Sequence, residues 1–275
     1  MILSEEDIQL SDKQIKFVKG GWGIEVAEDT IVKKIIYESD GLEVSGFLAH
    51  PKNIIQKYPL IIWNRGGNCK EGMIDDFLAK GIFGEIASWG YVVLASQYRE
   101  KDEFGGKDVN DVLNLIPVAE NISFCESGKI GIEGWSRGGM MAYIVLTLTK
   151  SIKCAVIISG LADLFRSEES RSDLVKVYEK LFGSHDENEF IERKKKRSAV
   201  YFAFKINKAT KILLIHGTSD KRVSHQDSVD MYERLKENGI PCELKLIENG
   251  DHYLKKNREE IVKLRRDWFD KFLKN

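Results

Sequence analysis

The stretch K-I-G-I-E-G-W-S-R-G-G-M-M-A at residues 129–142 decides the fold. Its apolar start is typical of a buried strand and its end of a helix, so the G-x-S-x-G pattern falls on a strand-to-helix turn. Such a turn exposes the hydroxyl of Ser136 on strained backbone, and Gly134 and Gly138 allow neighbouring backbone to approach it. The alternative is a glycine-rich turn with an incidental serine, because G-x-S-x-G alone often occurs by chance.

Short apolar runs alternate with longer helical stretches on both sides of this turn. Near-continuous apolar runs suit strands that are buried on both faces of a parallel sheet, and they occur at residues 60–63, 91–95, 130–132, 154–158, 212–215 and 244–247. Helices are predicted between them, at residues 72–89, 107–121, 138–149, 225–238 and 257–274. The alternation predicts an α/β fold with a mostly parallel, doubly wound sheet.

Three segments depart from this alternation. Apolar runs on either side of Asp40-Gly41 predict an antiparallel hairpin at the start of the sheet. Residues 1–30 have weak periodicity, so we expect a helical or irregular N-terminal extension. Residues 163–207 are highly charged and helix-prone, which predicts a helical, cap-like insertion before the strand at 212–215.

Composition limits the class of protein. The 275 residues are 43% hydrophobic and 31% charged, which is typical of a globular chain, and without linker or repeat we expect one domain over residues 1–275. A formal net charge of −1 gives no electrostatic reason to expect nucleic acid or an anionic membrane as a partner. The start lacks the pattern of a signal peptide, no apolar run is long enough to span a membrane, and the four cysteines are scattered. We therefore expect a cytoplasmic protein with free thiols, and the oligomeric state stays open.

A serine needs a base and an orienting acid before it becomes a good nucleophile. With a serine on this kind of turn, the chain order is serine, acid, histidine. His252 follows the last core strand and is the candidate base, while Asp220 follows the preceding strand and is the candidate acid. Asp251 is a minor rival for the acid, and His216 is interpreted as a structural residue that holds the acid loop.

Two backbone donors are needed for an oxyanion hole. One should be the N–H group of Arg137, the residue after the serine. The other should come from the loop after the strand at 60–63, where Arg65 is followed by Gly66 and Gly67. The alternative for this loop is a plain glycine turn.

Two arginines, Arg65 and Arg137, are expected at the mouth of the pocket. Their guanidinium groups are candidates for binding a carboxylate or phosphate of the substrate. The alternative is that they pair with local acids, such as Glu133 or Asp220.

In these motifs the chain resembles the prolyl oligopeptidase family of serine hydrolases, specifically its α/β-hydrolase catalytic domain. The resemblance covers roughly residues 42–270 and rests on Gly66-Gly67, Tyr98-Arg99, Gly134-Trp135-Ser136-Arg137-Gly138-Gly139, Leu214-Ile215-His216-Gly217 and Gly250-Asp251-His252. It implies an α/β-hydrolase fold with Ser136, Asp220 and His252 as nucleophile, acid and base, and with residues 65–67 as the oxyanion loop.

Three positions differ from the family pattern. Arg65 stands where the family often has histidine or tyrosine, Arg137 replaces a common tyrosine, and Ser224 replaces the usual proline after Val223. Family peptidases commonly carry an N-terminal β-propeller, and the 30 to 50 residues before the predicted sheet are too few for even two blades.

Three functions are compatible with these observations. The slightly favoured one is a carboxylesterase that cleaves small esters by acyl transfer through Ser136, without metal or cofactor. The second is a peptidase that acts on short peptides. The third is a non-catalytic α/β-hydrolase that serves as an interaction module. The expected partner is therefore a small-molecule ester or a short peptide.

Overall fold

A single mixed sheet organises the molecule in the computed structural model, which describes residues 1–68 and 71–274. Within that part of the chain the strand order is β1-β2-β3-β5-β4-β6-β7-β8-β9. The strands are β1 (Ile2–Asp7), β2 (Thr30–Ser39), β3 (Leu42–Pro51), β4 (Tyr58–Asn64), β5 (Val92–Ser96), β6 (Cys125–Trp135), β7 (Ile152–Ile158), β8 (Lys211–Gly217) and β9 (Cys242–Ile247).

Helices fill most of the connections between the strands. They are α1 (Asp12–Gly21), α2 (Ile24–Glu28), α3 (Asp76–Ser88), α4 (Val109–Leu113), α5 (Leu115–Glu120), α6 (Arg137–Leu148), α7 (Leu164–Ser170), α8 (Asp173–Phe182), α9 (Glu187–Lys195), α10 (Gln226–Glu237) and α11 (Arg258–Leu273). Short 3₁₀ turns lie at Ala199–Tyr201, Ala203–Lys205 and Lys255–Asn257.

The sheet is antiparallel at its start and parallel afterwards. The β1–β2, β2–β3 and β3–β5 pairs are antiparallel, whereas β5, β4, β6, β7, β8 and β9 pair in parallel. The β2–β3 hairpin turns at Asp40 (φ 54°) and Gly41 (φ 75°), both left-handed, as the Asp-Gly signal predicts. The predicted α/β-hydrolase architecture, with its N-terminal antiparallel hairpin, is confirmed.

Two apolar cores cover the two faces of the sheet. On β4, Leu60 and Ile62 belong to one core, while Ile61 and Trp63 belong to the other. Helices α4, α5, α6 and α10 supply the first core, and α3 and α11 supply the second. The alternation along one strand explains why the sequence shows continuous apolar runs, since both faces are buried.

The N-terminal extension is more regular than its sequence suggests. Residues 1–30 form β1, α1 and α2, and β1 adds an edge strand to the sheet. Five of the six residues of β1 are exposed, so the strand has no apolar alternation by which it could be found in the sequence. The expectation of a merely helical or irregular segment is therefore wrong, because residues 2–7 form a strand through backbone hydrogen bonds to β2.

Helices α7, α8 and α9 lie between β7 and β8, where the sequence predicts a helical insertion. Arg197, which follows α9, donates to the carbonyl oxygens of Glu103 and Phe104 at 3.0 and 2.9 Å, and its guanidinium lies 4.2 Å from the ring centroid of Phe182. Burial lowers the pKa of Arg197 to about 10. The insertion is thus fastened to the loop between β5 and α4.

Within residues 1–68 and 71–274, no helix is long and apolar enough to cross a bilayer. Cys125, Cys154 and Cys242 are free thiols, and Cys69 lies outside the described residues. The cytoplasmic location stays a prediction.

The hairpin turn offers a test of the fold. Gly41→Ala should lower the free energy of unfolding by about 1 kcal/mol, because a Cβ disfavours the left-handed backbone even though the space around it is open. Gly20→Ala is the matched control: the position is equally open, lies inside α1 with ordinary φ, and should stabilise slightly. Urea unfolding of both variants measures the difference, and an equal effect at the two sites would contradict the assigned turn.

Candidate active site

Ser136 lies on a strained turn between β6 and α6. Its backbone has φ 59° and ψ −123°, a region that residues with a Cβ rarely adopt. The strain is held by hydrogen bonds on both sides: the Ser136 N–H donates to the carbonyl of Ile158 at 3.0 Å, and its carbonyl accepts from Gly139 and Leu161 at 2.9 and 3.1 Å. The turn is therefore fixed by β7 and the loop that follows it.

The two glycines of the motif are needed because three backbone segments meet at this turn. A Cβ at Gly134 would lie 2.1 Å from the carbonyl oxygen of Gly138, and a Cβ at Gly138 would lie 2.0 Å from that of Asn64. Both distances are far inside van der Waals contact, so β6, α6 and the end of β4 fit together only with glycine. This geometry argues against an incidental serine on a glycine-rich turn.

Asp220 and His252 form an imidazole–carboxylate pair at the same edge of the sheet. His252 Nδ1 lies 2.7 Å from Oδ2 of Asp220, and the aspartate side chain is inaccessible to solvent. The other oxygen, Oδ1, accepts from the backbone N–H groups of Arg222 and Val223 at 2.7 and 3.0 Å. Asp251, the rival acid, is exposed and accepts from the N–H of Tyr253 at 3.2 Å.

Burial alone would raise the pKa of Asp220, but hydrogen bonds from His216 and His252 outweigh it and hold that pKa well below its usual range. The carboxylate is therefore ionised at neutral pH and can only accept hydrogen bonds. It follows that Nδ1 of His252 carries the proton of the neutral ring, which leaves Nε2 as the basic nitrogen.

His216 supports this pair from inside the protein. Its side chain is fully buried, Nδ1 lies 2.7 Å from the hydroxyl of Ser228, and Nε2 lies 3.2 Å from Oδ2 of Asp220. The interpretation of His216 as a structural residue of the acid loop agrees with these contacts.

The loop that carries His252 is tied to the elements that flank Ser136. The carbonyl oxygen of His252 accepts from the indole Nε1 of Trp135 and from the hydroxyl of Ser159, each at 3.1 Å. Trp135 directly precedes the serine in the motif, so its indole links the turn at Ser136 to the loop of His252. Sequence reasoning missed Ser159, whose available signal was its position just after β7.

A cavity of about 520 Å³ opens beside Ser136, and His252 lies on its wall as well. The two residues that the sequence assigns as nucleophile and base therefore lie on the wall of one cavity, although 116 positions separate them in the chain. None of the described residues of the insertion at 163–207 lines this cavity, so its cap-like placement over this space is not supported.

The predicted oxyanion loop lies directly against Ser136. A Cβ at Gly66 would lie 3.2 Å from Cβ of Ser136, and both Gly66 and Gly67 line the cavity. Gly67 has φ 72° and passes so close to the carbonyl oxygen of Glu71 that a Cβ would lie 2.2 Å from it. The other predicted donor, the N–H of Arg137, belongs to the first residue of α6, where backbone N–H groups lack partners within the helix. Gly66 and Gly67 thus line the same cavity as Ser136 and Arg137 directly follows the serine, while the assignment of an oxyanion hole stays a prediction.

The side chains of the two arginines require a correction. Arg65 is buried, and its Nε and Nη2 donate to the carbonyl oxygen of Gln97 at 3.0 and 2.8 Å. Arg137 is also buried, and it pairs with Asp102 and Asp108, each at 2.6 Å. Neither side chain is among the described residues that line the cavity. The hypothesis that they bind a substrate anion is therefore wrong for this space, and the partners of Arg137 are not the acids considered from sequence.

The side chain of Arg137 instead connects the turn at Ser136 to neighbouring segments. Burial lowers its pKa, but the carboxylates of Asp108 and Asp102 outweigh that effect and raise it. The guanidinium lies 4.6 Å from the ring centroid of Phe104, and Nη1 donates to the carbonyl oxygen of Gly67 at 2.9 Å. The side chain thus connects α6 to the glycine loop that approaches Ser136.

The mixed sheet and the turn at Ser136 define the class of the protein as a serine hydrolase of the α/β-hydrolase fold. Comparison with known families makes the assignment narrower. The chain belongs to the prolyl oligopeptidase family, whose model matches residues 87–275.

Similar proteins agree with this family. The uncharacterized peptidase YtmA of Bacillus subtilis is 30% identical over 240 residues, which cover 84% of this chain and 90% of YtmA. The uncharacterized peptidase YuxL of the same organism is 26% identical over 98% of this chain, but the chain spans only 43% of it. The acylaminoacyl peptidase of Pyrococcus horikoshii is 23% identical with a TM-score of 0.78, over 98% of this chain and 45% of that one. The two Bacillus relatives are named as peptidases, which favours the peptidase alternative over the small-ester carboxylesterase.

Replacing Arg137 tests the buried ion pairs. Arg137→Met should lower the free energy of unfolding by about 3–5 kcal/mol, because the buried carboxylates of Asp102 and Asp108 lose their contacts with its guanidinium. Lys263→Met is the control, since Lys263 pairs with Asp267 on the exposed face of α11 and should contribute little. Chemical denaturation measures both variants, and comparable losses would show that the Arg137 pairs are not structural.

Proposed function

We propose that the protein hydrolyses amide bonds of short peptides through an acyl-enzyme on Ser136. The observation that carries this proposal is the 2.7 Å contact between His252 and Asp220, with His252 and Ser136 on the wall of one cavity. Membership in a family of peptidases supports a peptide substrate, and the cavity volume of about 520 Å³ is in the range of small-ligand sites.

In the proposed acylation step, Nε2 of His252 takes the hydroxyl proton as Oγ of Ser136 attacks the carbonyl carbon. Asp220 stays ionised and stabilises the imidazolium that forms. The N–H groups of Arg137 and of the Gly66–Gly67 loop hold the negative charge that develops on the carbonyl oxygen. His252 then passes its proton to the departing nitrogen as the C–N bond breaks.

Deacylation repeats these roles with water in place of the serine hydroxyl. His252 takes a proton from the water, the oxygen adds to the acyl carbon, and the bond to Oγ of Ser136 breaks as the serine regains its proton. These steps need no metal or cofactor.

The strained backbone at Ser136 costs on the order of 1–3 kcal/mol. A non-catalytic interaction module would have no use for such strain, so the strain favours a catalytic function.

Ser136→Ala tests the proposed nucleophile. The variant should lose hydrolysis of a panel of N-acylated dipeptide amides and should no longer react with a fluorophosphonate probe. Ser151→Ala is the control, because Ser151 is exposed and precedes β7 at the other end of the sheet. Mass spectrometry locates the probe and chromatography follows the peptides; labelling or cleavage that persists in Ser136→Ala would refute the assignment.

A pair of asparagine variants separates the two candidate acids. Asp220→Asn should lower kcat by about 10⁴-fold, because an amide no longer fixes the ring tautomer of His252. Asp251→Asn should leave kcat near the wild-type value, since that carboxylate contacts the backbone of Tyr253 and not the imidazole. Steady-state kinetics on one peptide substrate gives both numbers, and the reverse order of effects would assign the acid to Asp251.

A further inference from the structure

The cavity beside Ser136 has a wall of large apolar side chains. Three of them are indoles, and three are aliphatic side chains on α3 and α11; these residues are Trp22, Trp63, Trp135, Ile82, Ile261 and Val262. The lining also includes charged residues, but a wall of this kind is typical of a site for an apolar ligand group.

The charges beneath this wall are already paired. Glu133 is fully buried and accepts from the indole of Trp63 at 2.9 Å and from Arg265 at 2.8 Å. Arg265 also donates to Glu85 at 2.9 Å, and Glu85 pairs in addition with Arg258. Two carboxylates thus meet two guanidinium groups. Because a charged ligand group against this wall would lose its hydration without gaining a free partner among these four residues, a neutral side chain is favoured there. Arg222 and Lys255 also line the cavity, but both are exposed and lie against Tyr253, at its hydroxyl and its ring.

The position of the cavity relative to His252 indicates which part of a substrate enters it. The imidazole must deliver its proton to the leaving atom, so the leaving group lies on the imidazole side of the scissile bond. Tyr253 and Leu254, which follow His252, line the cavity, and α11 continues the same wall. This lining favours the leaving-group side of Ser136 as the position of the cavity.

One wall comes from the N-terminal extension. Trp22 follows α1 and packs on α3, where a Cβ at Gly81 would lie only 2.4 Å from its indole. The ring of Phe77 meets it edge-on, with centroids 5.6 Å apart. Trp22 lies outside residues 87–275, the segment that matches the family model.

We propose that this cavity binds a large apolar side chain, aromatic above all, on the residue whose amine is released from the substrate. The inference rests on the proposed peptidase function and adds a preference for the leaving group. In the step concerned, the C–N bond breaks, the acyl carbon remains bonded to Oγ of Ser136, and the proton on His252 goes to the nitrogen of the aromatic residue. That residue then leaves as a free amine.

The test compares two peptides that share one acyl group. Acetyl-alanyl-phenylalaninamide and acetyl-alanyl-glycinamide give the same acyl-enzyme, so the ratio of their kcat/KM values reports the leaving-group site. The wild-type ratio should exceed about ten in favour of phenylalanine. Val262→Trp, which fills the cavity from α11, should bring the ratio close to one, and Trp22→Ala should lower it several-fold.

Phe17→Ala is the matched control. Phe17 lies on α1 close in sequence to Trp22, is 57% exposed, and is not among the described residues of the cavity wall. The variant should keep the wild-type ratio and the wild-type rates. A ratio near one in the wild-type protein, or an unchanged ratio in Val262→Trp, would overturn the leaving-group preference while Ser136→Ala still decides the proposed function.

A second measurement does not depend on peptide turnover. Phenylalaninamide should slow fluorophosphonate labelling of Ser136 in the wild-type protein and in Phe17→Ala, but not in Val262→Trp, and glycinamide should have no effect. If the wild-type protein cleaves neither peptide, the proposed function fails, and protection by phenylalaninamide alone decides the inference. Absence of labelling in folded wild-type protein would overturn both proposals.

Discussion

The close approach of three backbone segments at Ser136 is the constraint on which the rest of the site depends. Strand β6 must end beside β4 for Gly134 and Asn64 to meet, and α6 must begin where Gly138 can pass between them. The hydrogen bond from Ser136 to Ile158 requires β7 next to β6. A parallel sheet in this order brings the ends of β8 and β9, with the loops of Asp220 and His252, to the same edge.

Two buried ionic networks hold the flanks of this turn. On one side Arg137 joins α6 to Asp102, Asp108 and the carbonyl of Gly67. On the other side Arg265 joins α11 to Glu133 of β6. A buried charge is costly unless it is paired and hydrogen-bonded, so each network fixes the separation of the elements that contribute to it. The nucleophile is thereby positioned from both faces of the sheet.

The sequence predicted the parts that depend on local pattern. The continuous apolar runs identified the core strands because both faces of the sheet are buried, and Asp40-Gly41 identified the hairpin because both residues adopt left-handed backbone. The pairing of His252 with Asp220 followed from chain order and strand ends. Strand β1 was not predictable in this way, since its exposed residues are held by backbone pairing with β2.

Contacts between side chains from distant parts of the chain could not be predicted from the sequence. Nothing in the sequence distinguishes Asp102 and Asp108 from the other acids as partners of Arg137, because those contacts cross from α6 to a loop about 30 positions earlier. The same holds for Trp22, whose place on the cavity wall is set by the absence of a side chain at Gly81. The predicted single helix at 107–121 is two helices, which meet at Asn114.

The two hydrogen bonds that end on the carbonyl of His252 have a mechanical consequence. Of their donors, Trp135 is the last residue of β6 and Ser159 directly follows β7, and both strand ends also hold the backbone of Ser136. The backbone of His252 cannot move away from the serine without breaking these two contacts, so the loop that carries the base is coupled to the strand ends that hold Ser136. We therefore expect heating to leave the active site assembled until the sheet itself opens.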